Sequence, residues 1–443
     1  MFAKLLYNRN SLVLNTSFKY FSTSHARLKE HNCKLLVVGG GSGGCSLSAK
    51  FARNFQKGEI IIVEPSDVHY YQPMFTLIGG GIKKLEDSRK NMRDVLPNKA
   101  NWIKESVVEF NPQKNAVTIS NGDTIKYDFM LVAVGLQLRY EAVPGLVEAL
   151  NIPNSGVCSN YSPNHVNKTY EALQKFESGN AVFTFPNTPV KCPGAPQKVV
   201  YISEHFFRKT GKRNKANVTY NTSLGVIFGV KKYADALWKV VKERNINVNL
   251  RTNLIEVQPE KKLAIFENLD KPGEKTIVEY SMLHVAPPMG APDVLKKCTD
   301  LVNEAGFVNV NKDTLQHVKF SNVFAIGDCS SSPNSKTAAS VAAQCNIVYK
   351  NMKAVMAGQN LTEIYNGYAS CPLVTGYGSC IMAEFDYDLN PLETFPISQD
   401  KEMWVMYMMK KDFMPTLYWK LMLNGYWNGP STVRSLMHLG LRK

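Results

Sequence analysis

The feature that most restricts this chain is a run of glycines between two apolar strands. Lys34 to Gly39 (Lys-Leu-Leu-Val-Val-Gly) reads as a buried parallel strand, and Gly39-Gly40-Gly41-Ser42-Gly43-Gly44 opens a helix that continues to about Phe55. Glu59 to Glu64 (Glu-Ile-Ile-Ile-Val-Glu) reads as the next strand. Together they form a βαβ unit of about 30 residues. Within it Gly39, Gly41 and Gly44 satisfy GxGxxG, enclosing Ser42 and Gly43. Gly39 permits the tight turn, Gly41 lets backbone approach a pyrophosphate, and Gly44 allows close packing of helix on strand. The helix N-terminus offers unpaired amides to the phosphates. Glu64 ends the second strand and can accept hydrogen bonds from a ribose diol. A carboxylate there favours an unphosphorylated ribose, hence FAD or NAD and not NADP.

Two later segments favour FAD. Tyr127 to Gly135 (Tyr-Asp-Phe-Met-Leu-Val-Ala-Val-Gly) and Asn322 to Asp328 (Asn-Val-Phe-Ala-Ile-Gly-Asp) resemble the strands of flavoproteins with two dinucleotide-binding domains. That resemblance implies that Gly135, Gly327 and Asp328 contact the cofactor, Asp328 at its ribityl chain. A second α/β region begins near Ala181, with helices around 198–208 and 232–244 and a strand at 218–221. The expected fold is α/β, with two Rossmann-like dinucleotide-binding domains of the FAD/NAD(P)-binding type and a C-terminal membrane-associating region. The expected boundaries are a transit peptide at 1–29, an FAD-binding domain at 30–150 and 300–360, a second Rossmann-like domain without a nicotinamide site at 151–299, and a redox-cysteine and membrane region at 361–443.

Charge and cysteine usage narrow the class. The formal net charge is +15, and five of the basic residues (Lys4, Arg9, Lys19, Arg27, Lys29) lie in a stretch, 1–29, that has no Asp or Glu. Such an acid-free, basic, Ser- and Asn-containing stretch has the pattern of a mitochondrial transit peptide. The rest is also basic, which suits nucleic acid or an anionic membrane face; no nucleic-acid motif is present, so the membrane is the expected partner. No stretch approaches the ~18 apolar residues of a spanning helix. The nine cysteines form no CxxC pair, so neither a zinc site nor a thioredoxin motif is expected, and no metal is assigned. Cys45 lacks a partner four or five residues on, which argues against a glutathione-reductase-like disulfide.

Where a second phosphate-binding glycine loop would open the second α/β region, the chain reads Pro186-Asn-Thr-Pro-Val-Lys-Cys-Pro-Gly-Ala-Pro196. Proline lacks an N–H and fixes φ, so this loop is a poor phosphate cradle. A cysteine, Cys192, stands in it instead, just before a helix and between Lys191 and Lys198. A helix N-terminus and nearby cations favour thiolate. Cys371, in Ser370-Cys371-Pro372-Leu373-Val374-Thr375-Gly376-Tyr377, is likewise followed by proline. Either thiol alone reads equally as a buried structural residue.

The segments 186–198 and 370–377, with Val63-Glu64-Pro65-Ser66, Tyr71-Gln72-Pro73 and Lys336-Thr337-Ala338-Ala339, resemble the mitochondrial sulfide:quinone oxidoreductase family. The resemblance covers essentially the whole chain after the presequence. It implies that Cys192 and Cys371 form a redox pair beside FAD. Hydrosulfide would attack at Cys371 to leave a persulfide, freeing a Cys192 thiolate whose electrons pass to the flavin and on to ubiquinone. Sulfite or glutathione would take the sulfane sulfur. It implies cofactor contacts at Gln72, Val107, Lys336, Thr337, Ala338 and Ala339, and a peripheral place on the mitochondrial inner membrane, on the matrix side. Cys158 is read as structural. Met403 to Met409 and Leu417 to Trp427, rich in Met, Trp and Tyr and punctuated by lysines, suit a bilayer interface. Two rival readings remain: a type II NADH:quinone oxidoreductase-like enzyme, and a non-catalytic flavin-stabilised interaction protein.

Overall fold

The computed structural model describes residues 28–440, so the expected presequence lies, except for its last two residues, outside the described residues. The first sheet is built from β1 (Glu30–Val38), β2 (Ile60–Val63), β3 (Asn101–Ile103), β4 (Val107–Asn111), β5 (Ala116–Ile119) and β6 (Thr124–Val132) in the order β3-β2-β1-β6-β5-β4. A late strand, Val323–Ala325, returns to pair in parallel with β6. β1 runs parallel to both neighbours, with Leu35 opposite Ile60 and Val38 opposite Val132. A strand covered on both faces must be apolar throughout, and Leu35, Leu36 and Val37 are fully buried. Helix α1 (Ser42–Phe51) begins within the glycine run, with Gly41 at its N-cap and Gly43 and Gly44 in its first turn.

The second sheet has the order β7-β11-β8-β9-β10, all parallel, from Val157–Cys158 (β7), Gly179–Phe185 (β8), Ala216–Thr222 (β9), Asn247–Asn249 (β10) and Met282–His284 (β11). Helices α2 (Ala195–Lys209) and α3 (Lys231–Glu243) connect its strands, and a three-stranded antiparallel sheet of residues 252–279 extends it. The chain then re-enters the first layer through the Val323–Ala325 strand and helix α4 (Ala338–Met356), which packs on α1. Beyond α4 lies a hairpin, β12 (Ala369–Gly376) and β13 (Ser379–Phe385), with Cys371 opposite Ala383. A continuous helical rod follows from Trp404 to Met422, in which two turns, Met409–Phe413 and Tyr418–Met422, are widened to π-helix.

The helices start or stop within a few residues of the expected places. α1 ends at Phe51, earlier than its apolar pattern suggested. Helix α4 begins at Ala338, where the Thr337 hydroxyl accepts a hydrogen bond from the Ser340 amide at 3.2 Å and caps it.

Gly44 decides how closely α1 approaches β1. A Cβ at that position would stand 1.8 Å from the Gly39 carbonyl oxygen. The Gly44→Ala variant is therefore expected to lose about 3 kcal/mol or more of stability, read from urea melts against the wild type; an unchanged midpoint would contradict this packing.

Candidate active site

A cavity of about 520 Å³ runs between the two sheets, within the range of cofactor sites. Gly39, Gly40, Gly41, Ser42 and Gly43 line one end with Glu64. The Glu64 carboxylate accepts the Gly40 and Ser66 amides, both at 2.8 Å, so its orientation is set by backbone. Gly135, Gly327 and Asp328 form the middle of the wall. Gly135 has φ +71 and nothing within 4 Å of where a Cβ would be, so backbone alone faces the space. Thr337, Ala338 and Ala339 join Cys192 at the far end. Burial pushes the Asp328 carboxyl up, opposed by the ammonium groups of Lys336 and Lys191.

Cys192 stands in the loop between β8 and α2, in a left-handed backbone conformation with φ +54. Such a conformation is strained for a residue with a side chain and persists only where neighbours enforce it. Here its N–H donates to the Lys336 carbonyl at 2.7 Å, and its own carbonyl accepts the Ala195 amide at 2.8 Å. The first bond ties the loop of the second α/β unit to the approach of α4 in the first. The Cys192 sulfur consequently lies 3.8 Å from that of Cys371, although 179 residues separate them in sequence. Cys371 itself is 2% exposed. Gly194 makes room for its sulfur, since a Cβ there would lie 2.4 Å from it.

The electrostatics split the pair. Lys198, 3% exposed on the first turn of α2, directs its ammonium to the Cys192 sulfur at 3.4 Å. The hydrogen bond from the Cys371 thiol, and after it the Lys198 and Lys410 charges, hold Cys192 well below the ordinary thiol range despite burial. The same hydrogen bond, together with burial, pushes Cys371 up. Burial opposes the charge on Lys198, but the adjacent sulfurs prevail and hold its ammonium. Lys410 comes from the first widened turn of the C-terminal rod; its ammonium donates to the Pro73 carbonyl at 2.9 Å, and burial lowers it to about 8. Lys191 donates to the Gln72 side chain at 2.7 Å and is likewise lowered to about 8 by burial.

Most residues expected to hold the cofactor meet at this cavity, with three qualifications. Gly44 lies behind the loop and acts through packing. Lys336 lines the cavity, yet its ammonium is bound to the Ser330 and Ser332 carbonyls at 2.7 and 3.2 Å. Val107 is not brought to the cavity: it is buried at the start of β4, opposite Ile119 near the far edge of the first sheet. Cys158 is fully buried in β7. Sequence reading assigned no role to His69, Lys410, Tyr418 or Gly194, although Gly194 lies in the segment around Cys192 and Tyr418 in the aromatic C-terminal stretch.

The residues fit a flavin dinucleotide. The glycine loop, Glu64 and Asp328 occupy one continuous wall, and among the described residues both polar atoms of the Asn160 amide and the Tyr161 hydroxyl, which line it, are buried without a partner. A buried polar atom costs stability unless something pairs with it, and a polar cofactor would do so. Residues 33–178 match the pyridine nucleotide-disulphide oxidoreductase family; together with the fold, the cavity and the relatives that follow, this sets the class, an FAD-dependent oxidoreductase. Mouse (Mus musculus) mitochondrial sulfide:quinone oxidoreductase is 53% identical, covering 93% of this chain and 91% of the mouse protein. The Dictyostelium discoideum protein of the same name is 43% identical, covering 93% of this chain and 90% of its own. This chain belongs to the mitochondrial sulfide:quinone oxidoreductase family. Its fold is also similar to the crystal structure of the Aquifex aeolicus sulfide:quinone oxidoreductase, with TM-score 0.77 at 20% identity, covering 94% of this chain and 96% of that one.

If Lys198 holds the Cys192 thiolate, Lys198→Met must raise the thiol's pKa. The midpoint of the pH–rate profile for alkylation of reduced Cys192 by iodoacetamide is expected to move upward, and at pH values below both midpoints the rate is expected to fall about tenfold for each unit of rise. A midpoint that stays in place would refute this role.

Proposed function

We propose that the chain oxidises hydrogen sulfide through a Cys192/Cys371 pair and passes two electrons to ubiquinone. The observation that carries this reading is the 3.8 Å contact between the two sulfurs, with the Lys198 ammonium 3.4 Å from one of them. In the oxidised pair, hydrosulfide attacks Cys371. The Cys192–Cys371 bond breaks, a new S–S bond forms, and Cys371 carries a persulfide while Cys192 leaves as thiolate. Exchange favours the sulfur with the lower pKa as leaving group, which is the direction of the shift at Cys192. A small acceptor, sulfite or glutathione, then attacks the outer sulfur and releases the Cys371 thiol. Bound FAD supplies the two-electron acceptor that lets the disulfide re-form and that ubiquinone restores.

The chain's own groups hold the charges of this sequence. Lys198 stabilises the leaving thiolate. Lys410, lowered to about 8 by burial and facing the charge of Cys192 and Cys371, lies close enough to neutrality to hold or release a proton beside an anionic sulfur species. Gly39, Gly41, Ser42, Gly43, Glu64 and Gly327 hold the dinucleotide, and Asp328, Gly135, Gln72, Lys336, Thr337, Ala338 and Ala339 surround its reactive end. The proline-containing loop 186–196 argues against a nicotinamide donor. Cys192→Ser and Cys371→Ser are each expected to lower the rate of flavin bleaching by sulfide by at least about 10³-fold, as loss of a nucleophile does. NADH is expected to leave the flavin oxidised. Full sulfide activity in either variant would end this reading.

The protein is mitochondrial by family, and no helix among the described residues is long and apolar enough to cross a membrane. The proposed association is peripheral, at the matrix side of the inner membrane. The rod and the turn after it expose Trp404 (66%), Val405 (49%), Phe413 (54%) and Tyr426 (65%). An amphipathic surface with basic residues suits an anionic interface, from which an apolar quinone can reach the cavity without crossing water. Replacing Trp404 and Phe413 by Asp is expected to cut co-sedimentation with anionic vesicles at least about tenfold, with reduction of a water-soluble quinone preserved. Unaltered vesicle binding would place the membrane face elsewhere.

A further inference from the structure

The second widened turn of the C-terminal rod reaches a part of the molecule far from it in sequence. Tyr418, 2% exposed, opens that turn. Its hydroxyl lies 2.8 Å from the Ser42 hydroxyl and 2.6 Å from His69 Nε2. His69 Nδ1 lies 3.1 Å from the Gly40 carbonyl oxygen. One phenol thus engages the glycine loop on both sides of Gly41: Ser42 directly, and Gly40 through a buried imidazole. The aromatic surroundings hold it there, since the Tyr71 and Tyr418 rings are 4.4 Å apart and the Trp419 ring meets His69 edge-on at 5.7 Å.

The proton order follows from the chemistry of the groups. A backbone carbonyl only accepts, so His69 Nδ1 carries the proton that faces Gly40. Nε2 is then an acceptor, and the Tyr418 hydroxyl donates to it. The Tyr418 oxygen remains free to accept from Ser42. Burial lowers His69 to about 4, which keeps the ring neutral and this order intact around neutral pH. Gly41 is the residue such a latch would control. It has open space where a Cβ would be, apart from the Ala133 carbonyl at 4.0 Å, and so it allows close approach of a ligand.

We propose that Tyr418 is a positioning residue for the dinucleotide loop: through Ser42 and His69 it holds Gly40 to Ser42 in the shape that grips the cofactor's pyrophosphate, so that retention of FAD depends on seating of the C-terminal rod. The inference rests on the cavity being the FAD site. It goes beyond that reading in assigning a cofactor-retaining role to the segment that carries the exposed apolar surface.

The test measures flavin release from purified holoprotein, by the rise of flavin fluorescence on dilution, for wild type, Tyr418→Phe, Ser42→Ala and the double variant. Tyr418→Phe removes one oxygen and keeps the ring, and is expected to release FAD roughly tenfold faster, as loss of a buried hydrogen bond implies. Because Tyr418 acts in part through Ser42, the double variant is expected to release FAD more slowly than the product of the two single effects predicts. Tyr426→Phe, an exposed aromatic next to the rod, serves as control and is expected to match wild type. Release from Tyr418→Phe within twofold of wild type would overturn the proposal. Rates that multiply in the double variant would also overturn it, because they would make Tyr418 a general packing residue. Wild-type protein without a flavin spectrum would instead overturn the reading of the cavity, and this inference with it.

Discussion

The site depends on a buried cation and a buried thiol that each make the other possible. An ammonium taken out of water with no partner costs several kcal/mol. Lys198 is 3% exposed, and its partner is the Cys192 sulfur at 3.4 Å. In return the charge depresses the Cys192 thiol, which burial alone would raise. The second sulfur completes the arrangement by donating to the first, so that two chemically identical side chains become unequal. One thiol is held low and the other high. None of this needs an unusual residue; it needs two elements, α2 and β12, to pack together.

That meeting is enforced by backbone. The Cys192 amide is bound to the Lys336 carbonyl, which fixes the loop after β8 against the start of α4. The loop occupies the position where a related fold would cradle a second dinucleotide. Its prolines remove the amides such a cradle uses, and its strained cysteine points a sulfur into the shared cavity. The second α/β unit keeps its five-stranded parallel sheet, and its loop contributes Cys192 to the cavity that the first unit also lines.

The extent to which this was legible in the sequence follows the range of the interactions. Local rules identified the first βαβ unit, Glu64, the lost second glycine loop and the activated position of Cys192 before α2. The Val323–Ala325 strand was found because its Gly-Asp ending is itself a local signal. The partnership with Cys371 came only from family resemblance, since nothing local links residues so far apart. Gly194 carried a faint signal, a glycine two residues after the cysteine, but its reason is the Cys371 sulfur that it admits. Val107, whose contact resemblance implied, lies in the core opposite Ile119, outside the lining of the cavity. His69, Lys410 and Tyr418 were illegible because each looks ordinary in its own segment and acquires meaning from a neighbour over 300 residues away.

The C-terminal rod explains how such distant residues converge. Lys410 and Tyr418 are both buried, and both reach the segment between His69 and Pro73. Eight residues apart, they would differ in direction by about 80° on a regular helix of 3.6 residues per turn. Widening a turn to i→i+5 bonding lowers the rotation per residue. The π turn that begins at Met409 therefore brings Tyr418 back toward the face that carries Lys410. The outward face is left to Trp404, Val405, Phe413 and Leu421, all exposed. A regular helix could satisfy the inner face or the outer one over this length; the two wide turns let one short rod serve both, with Lys410 at the cavity, the Tyr418 phenol on two residues that line it, and an apolar strip at the surface.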